Sequence, residues 1–200
     1  MAGLARRRRR YAGCSGSVSN GCAGAEVITI AAWKSKLGTS YISPAHRAGK
    51  SVLLRELSRL IGDSERIDLS EIKLPAEKLV IDCIEGDFLS SLKMLGTAGL
   101  NDVFCVLGTP AALSEGQKYR LRLAMALASG RKIIFADEFC STLDRITAAV
   151  ISYNIQRFAK RDGVTFILAS SHDDIVADLS PDVLVVKELS GPAEVVYRRL

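Results

Sequence analysis

The stretch from Leu113 to Asp144, LSEGQKYRLRLAMALASGRKIIFADEFCSTLD, constrains the fold of this chain more than any other. It opens with Leu113-Ser114-Glu115-Gly116-Gln117. Ser114 suits a helix cap, because its oxygen can accept from the free amides of a first turn, and such a helix end attracts an anion. Gly116 has no Cβ, so a phosphate can come close to its backbone. Within 119–129, Leu121, Leu123, Ala124, Leu127 and Ala128 recur at helical spacing and mark a core face, with Arg120 and Arg122 expected in solvent. The apolar run Ile133-Ile134-Phe135-Ala136 then reads as a buried strand. It delivers Asp137 and Glu138 at its C-terminal edge, an arrangement suited to a metal ligand followed by a general base. Ser141-Thr142-Leu143-Asp144 leads into a further helix over 145–160.

Two flanking segments extend the pattern. Upstream, Ala48-Gly49-Lys50-Ser51 enters the helical run Val52-Leu53-Leu54, Leu57, Leu60-Ile61. Glycine, lysine and serine leading into a helix form the second half of a phosphate-binding loop, where the lysine reaches the β and γ phosphates and the serine hydroxyl holds Mg²⁺. The first half departs from that pattern. Pro44 supplies no N–H to a phosphate cradle, and Arg47 puts a long side chain where backbone should meet phosphate. Downstream, Val164 to Ala169 reads as a strand ending in Ser171-His172, with Asp173 and Asp174 capping a short helix after it. Lys78 to Ile84 reads as a buried strand and Phe88 to Leu95 as a short helix. Asp182 to Val186 and Ala193 to Tyr197 read as terminal strands. Alternation of strand and helix from Lys78 onward predicts a parallel sheet with the motifs at the strand C-termini.

In order and spacing these pieces resemble the ABC-type ATPases over roughly residues 48–186. In that family LSGGQ is the signature, an apolar run ending in Asp-Glu is the Walker B motif, SxLD is the D-loop, and a histidine after the next strand is the switch. The resemblance implies an α/β fold, a three-layer P-loop NTPase with a mostly parallel sheet. Its helical subdomain should be reduced, since Ser114 follows Lys50 by only 64 residues. ATP and Mg²⁺ are the implied cofactors, and a head-to-tail homodimer is the implied assembly. Each ATP would lie between Gly49, Lys50 and Ser51 of one copy and Ser114, Gly116 and Gln117 of the other. Ser51 and Asp137 would hold the metal, Glu138 would polarise the attacking water, His172 would contact the γ-phosphate, and Asp144 would cross the seam. The family's glutamine loop has no counterpart here, because no glutamine lies between Ser51 and Gln117. Asp82, Glu85 and Asp87 are polar residues nearby, and none is assigned its role. Two other readings stay open. One is a nucleotide-dependent clamp with little turnover; the other is a basic nucleic-acid-binding protein that uses the ATPase fold as scaffold. An effector protein is expected without being identified, and a membrane permease is the less favoured form of it.

Composition bounds the remainder. Two hundred residues, 48% hydrophobic and 24% charged, suit one globular domain. No apolar run approaches the roughly 20 residues that span a bilayer. The five cysteines (14, 22, 83, 105 and 140) are odd in number and form no CxxC pair. They are read as reduced thiols of a cytoplasmic protein, with Cys140 a small packing residue. The net charge of +5 is uneven: residues 1–50 hold nine basic side chains and one acid, and the remainder is slightly acidic. Residues 1–40 are therefore read as an atypical basic head and 41–200 as the ATPase domain. Arg6 to Arg10 could contact nucleic acid or an acidic surface, although a simple basic head is the plainer reading. No apolar segment follows the arginines before Val27, so no signal peptide is expected. The strand candidate in this head is Val27 to Trp33. Charge, composition and the phosphate cradle all change together near Ala48. One account is that the preceding codons are read out of frame relative to a functional ancestor. With codons such as ATC TCA CCG GCC CAC CGG for Ile42 to Arg47, reading from the third base yields Leu-Thr-Gly-Pro-Pro-Gly, which completes the loop when joined to Ala48. The other account is a genuinely divergent head. Both predict weak ATP binding by the chain as written.

Overall fold

A computed structural model describes residues 9–11, 26–30, 50–170, 175–187 and 194–198. Its strands are β1 (Arg9–Tyr11), β2 (Glu26–Ile30), β3 (Arg66–Asp68), β4 (Ile133–Ala136), β5 (Thr165–Leu168), β6 (Val183–Lys187) and β7 (Glu194–Arg198). Its helices are α1 (Lys50–Arg59), α2 (Phe88–Thr97), α3 (Val103–Val106), α4 (Glu115–Ala128), α5 (Arg145–Asp162) and α6 (Val176–Leu179). Strands β3, β4 and β5 pair in parallel, with Ile133 opposite Arg66 on one side and Thr165 on the other. A second sheet runs in the order β1, β7, β6, β2. There β7 pairs with β6 and β6 with β2 antiparallel, while β1 joins β7 in parallel. Three of the five pairings are thus parallel. Strand β2 also runs alongside β5, which brings the two sheets edge to edge.

Period-two alternation along the strands creates the layers. Phe135 of β4 and Ile167 of β5 cluster with Leu54 of α1 and with Val183 and Val185 of β6. Their neighbours Ile134, Ala136, Phe166 and Leu168 point the other way, into a larger cluster with Leu121, Leu123 and Leu127 of α4 and Ile151 and Ile155 of α5. Helix α1 therefore covers one face of the parallel strands, and α4 and α5 cover the other. The helical part, α2 and α3, packs through Leu95 and Val106 onto that second cluster.

Helices α2, α4 and α5 each begin on a side-chain cap. Asp144 caps α5 by accepting the Thr147 N–H, and Gly163 ends it in the left-handed conformation at φ 67°. Asp87 caps α2 by accepting from Leu89 and Ser90, and Ser114 caps α4 by accepting from Gln117. The expected helices over 52–61, 88–95, 119–129 and 145–160 are present as α1, α2, α4 and α5: α1 is shifted two residues towards its start, α4 begins four residues earlier and ends one earlier, and α2 and α5 each run two residues further.

Two expectations are corrected. Residues Lys78 to Ile84 are not a strand, because a single 3-10 turn, Ile81–Cys83, occupies their centre. Val80, Ile81, Cys83 and Ile84 are buried while Asp82 is exposed, a spacing that a tight turn satisfies and a two-fold strand cannot. The place beside β4 goes instead to β3, so the parallel sheet begins at Arg66. Arg120 and Arg122 are half-buried and tied to the backbone, not fully solvated. Arg120 donates to the Gly116 and Gly99 carbonyls, and Arg122 donates to the Ile72 carbonyl.

From the head, β1 includes Arg9 and Arg10, and β2 covers the first part of the 27–33 strand candidate. Residues 31–33, Arg6 to Arg8, Pro44, Arg47, Asp173 and Asp174 lie outside the described residues. Among the described residues, no helix is long and apolar enough to cross a membrane.

Candidate functional site

Strand β4 ends at Ala136, and the next four residues form the turn on which the two carboxylates stand. Asp137 is half-buried and Glu138 is exposed. The turn is strained, since Glu138 has φ 49° and Cys140 has φ 61°. A left-handed residue with a Cβ costs roughly 1–2 kcal/mol, so such a turn persists only where its surroundings dictate it. Here they do. The Glu138 N–H donates to Asp137 Oδ1 at 3.0 Å, and the Phe139 N–H donates to the Ala169 carbonyl at 2.6 Å. Ser170 Oγ donates to the Phe139 carbonyl at 3.0 Å, and the Cys140 N–H donates to the Tyr119 hydroxyl at 3.2 Å. The end of β5 thus holds the turn from one side and α4 holds it from the other.

The first turn of α4 meets the same segment. Ser114 and Gln117 form a reciprocal capping box: the Ser114 N–H donates to Gln117 Oε1 at 2.8 Å, and the Gln117 N–H donates to Ser114 Oγ at 3.3 Å. The other end of the Gln117 amide donates to Cys105 Sγ at 3.0 Å, so this side chain is engaged within its own chain. Gly116 is required for close approach. A Cβ there would sit 3.2 Å from both the Thr142 carbonyl and Leu143 Cδ2. Glutamate 115 pairs with Lys118 at 2.8 Å. Ser114 and Asp144 are exposed on either side of this contact. The Asp144 carboxyl is held below its ordinary value, first by the Thr147 hydroxyl and then by the Thr147 N–H.

Lys50 and Ser51 are the first two residues of α1, and Ser51 is half-buried. The first turn of α1 carries no acid, and a helix start of this kind attracts an anion. Leu54, one turn further on, shares a cluster with Phe135, two residues before Asp137. Gly49 and His172 lie outside the described residues. Among the described residues, no group of three or more histidine, cysteine, aspartate or glutamate side chains could hold a metal ion by itself.

Tyr119 and Arg120 were absent from the candidate list drawn from sequence. Their partners, the Cys140 N–H donor for Tyr119 and the Gly99 carbonyl acceptor for Arg120, each lie 21 residues away, where no spacing rule relates them to the signature. The only sequence cue was a hydroxyl-bearing aromatic among the small and aliphatic residues of the helix. Cys140 is fully buried, as expected for a packing residue, and burial pushes its thiol upward.

Known proteins resemble this chain at two levels, in part of the sequence and in the fold. The methionine import ATP-binding protein MetN 3 of Pectobacterium atrosepticum is 35% identical over 97 residues, 48% of this chain and 27% of its own length. A methionine import ATP-binding protein of Haemophilus ducreyi is 34% identical over the same extent. A third, from Yersinia pestis, is 31% identical over 178 residues, 72% of this chain and 52% of its own length. The chain thus spans between about a quarter and a half of the curated relatives it matches. No family model matches it. Among solved structures, a dimeric bacterial ABC transporter cassette superposes with a TM-score of 0.59 at 16% identity. A dimeric, post-hydrolysis ATP-binding cassette bound to ADP and Pi superposes with a TM-score of 0.57 at 15% identity. Each covers 84% of this chain and all of the other. The chain therefore has the three-layer α/β P-loop NTPase fold with a mostly parallel sheet and a helical subdomain, and part of it is similar in sequence to methionine import ATP-binding proteins.

Proposed function

We propose that this chain is an ABC-type nucleotide-binding domain that binds and hydrolyses ATP as a head-to-tail dimer. The observation that carries the reading is the meeting of the capped α4 start with the Asp137–Asp144 turn. Gly116 packs there against Thr142 and Leu143, and Tyr119 meets Cys140, so the Ser114 helix start is joined to the turn that carries Glu138. Lys50 and Ser51, at the start of α1, would take the β and γ phosphates of ATP, with Gly49 before them. Mg²⁺ suits this donor set, since it is usually held by one or two protein oxygens together with phosphates and water. Ser51 and Asp137 would hold it, and the bound ion would neutralise charge developing on the phosphoryl oxygens.

Glu138 orients the attacking water from the end of β4, and His172 contacts the γ-phosphate. Ser114 already accepts the Gln117 N–H and keeps its own proton to donate to the nucleotide of the second copy. Gln117 contributes by holding that cap. Asp144 stands at the seam between copies. Catalysis of this kind rests on positioning and charge, which a rigid turn supplies. An effector protein would find apolar contacts on the helical part, where Phe88, Leu89, Val103 and Phe104 are 62–88% exposed.

The test is Glu138→Gln. This substitution keeps the turn and removes the carboxylate that orients water. Hydrolysis should fall at least about 100-fold, by the measure of a lost general base, while ATP and Mg²⁺ convert the monomer to a dimer in light scattering. Wild-type turnover by the variant, with the monomer unchanged, would reject both the assignment and the dimer.

A further inference from the structure

The turn that carries Glu138 depends on one hydroxyl from another element. Among the four consecutive amides from Glu138 to Ser141, three are satisfied by β4, β5 or the turn itself: Asp137 Oδ1, the Ala169 carbonyl and the Glu138 carbonyl. The Cys140 N–H alone is satisfied by a side chain of α4, the Tyr119 hydroxyl at 3.2 Å. Cys140 is fully buried, and its backbone is left-handed at φ 61°. A buried N–H without a partner is costly, and a left-handed residue with a Cβ needs external support. The phenol ring supplies a second restraint by meeting Phe139 edge to face, with centroids 6.5 Å apart at 64°. Three residues earlier on the same helix, Gly116 sits against Thr142 and Leu143. The turn is therefore clamped to α4 at both of its ends, and the clamp at the Glu138 end is Tyr119.

We propose that Tyr119 is a positioning residue for Glu138. By accepting the Cys140 N–H it holds the 138–140 turn in its strained form, and it makes the signature start of α4 and the water-orienting carboxylate one rigid unit. The consequence rests on the ATPase reading: the surface that meets the partner's nucleotide would set the geometry of the chain's own hydrolytic site. Burial keeps the phenol far above its ordinary value, so the hydroxyl stays neutral at any working pH.

The experiment is Tyr119→Phe in the full chain, which deletes one oxygen and keeps the ring. Without nucleotide, amide hydrogen exchange at Cys140 should accelerate at least about tenfold, as expected for a lost hydrogen bond of ordinary strength, while the amides of α4 and β4 keep their protection. With ATP and Mg²⁺, kcat should fall by a similar factor while KM stays unchanged. An unchanged rate of exchange at Cys140 overturns the proposal. Protection lost evenly across α4 and β4 overturns it too, since the hydroxyl would then serve the whole core. Faster exchange at Cys140 with an unaltered kcat removes the positioning role. A wild-type chain that binds ATP without any turnover rejects the ATPase reading separately, because the exchange measurement uses no nucleotide and still decides whether Tyr119 holds the turn.

Discussion

Ser152 is fully buried on the inner face of α5, and its hydroxyl has no hydrogen-bond partner among the described residues. It lies among Ala148, Ile151, Ile155 and Phe158, a stripe at helical spacing where an alanine would fit. An unsatisfied buried hydroxyl costs about 1–3 kcal/mol, and alanine is also the better helix former. Ser152→Ala should therefore stabilise the chain by about 1 kcal/mol. In a chain of this size that raises Tm by roughly 2–4 °C. A melting curve settles it, and a lowered Tm would mean that the hydroxyl is satisfied in solution. The contrast with Ser170 is instructive, because that buried serine donates to the Phe139 carbonyl and is tied to the site. Composition does not distinguish the two serines. Only the position of an acceptor does.

At the scale of elements, two helix starts make a charge-dependent contribution to stability. Asp87 of α2 is held below the ordinary aspartate value of 3.8, first by the Ser90 hydroxyl and then by backbone N–H groups. Asp144 of α5 is lowered in the same way by Thr147. A carboxylate whose folded value is depressed contributes fully above its unfolded value, and that contribution is lost as pH falls through the folded one. Acidification below about pH 4 should therefore loosen both helix starts. Replacing both residues by asparagine keeps a capping oxygen and removes the titration. The double variant should show a shallower fall in Tm between pH 5 and pH 3 than the parent, at a similar Tm at pH 7. A fall as steep as the parent's would place the acid sensitivity elsewhere.

These starts were legible in the sequence because Ser114 and Asp144 immediately precede periodic apolar runs. β4 and β5 were legible because short β-branched and aromatic runs there end in polar residues. The 78–84 segment was not, since four apolar residues at 80, 81, 83 and 84 satisfy a turn as well as a strand when the partner is unknown. β3 was missed for the converse reason. Arg66-Ile67-Asp68 has one apolar residue and owes its strand state to pairing with Ile133 to Phe135.

For the whole molecule, the two halves of the proposed nucleotide site differ in how well their chemistry is supplied. The half from Leu113 to Asp144 is well supplied: a capped helix start, a close-approach glycine, two carboxylates at a strand end, and a turn whose amides from Glu138 to Ser141 are all satisfied. The half before Lys50 is defective in sequence, and it lies outside the described residues. A phosphate nest needs successive backbone N–H groups that approach an anion without a side chain in the way. Pro44 removes one N–H, and Arg47 adds a Cβ and a long stem where the backbone must come close. The lysine and serine that follow still offer a charge and a metal-binding hydroxyl. The chain as written should therefore bind ATP weakly, in the range where Lys50, Ser51 and the α1 end act alone. The double substitution Pro44→Gly and Arg47→Gly should tighten ATP binding at least about tenfold, the gain expected from one or two recovered charge-assisted hydrogen bonds. Titration calorimetry on both forms with ATP and Mg²⁺ measures this directly. The coding DNA discriminates the origin of the defect, because only an out-of-frame head would contain the Gly-Pro-Pro-Gly or Gly-Pro-Ser-Gly reading one frame away. Equal, tight binding by both forms would show that the cradle is not damaged, whatever the DNA contains.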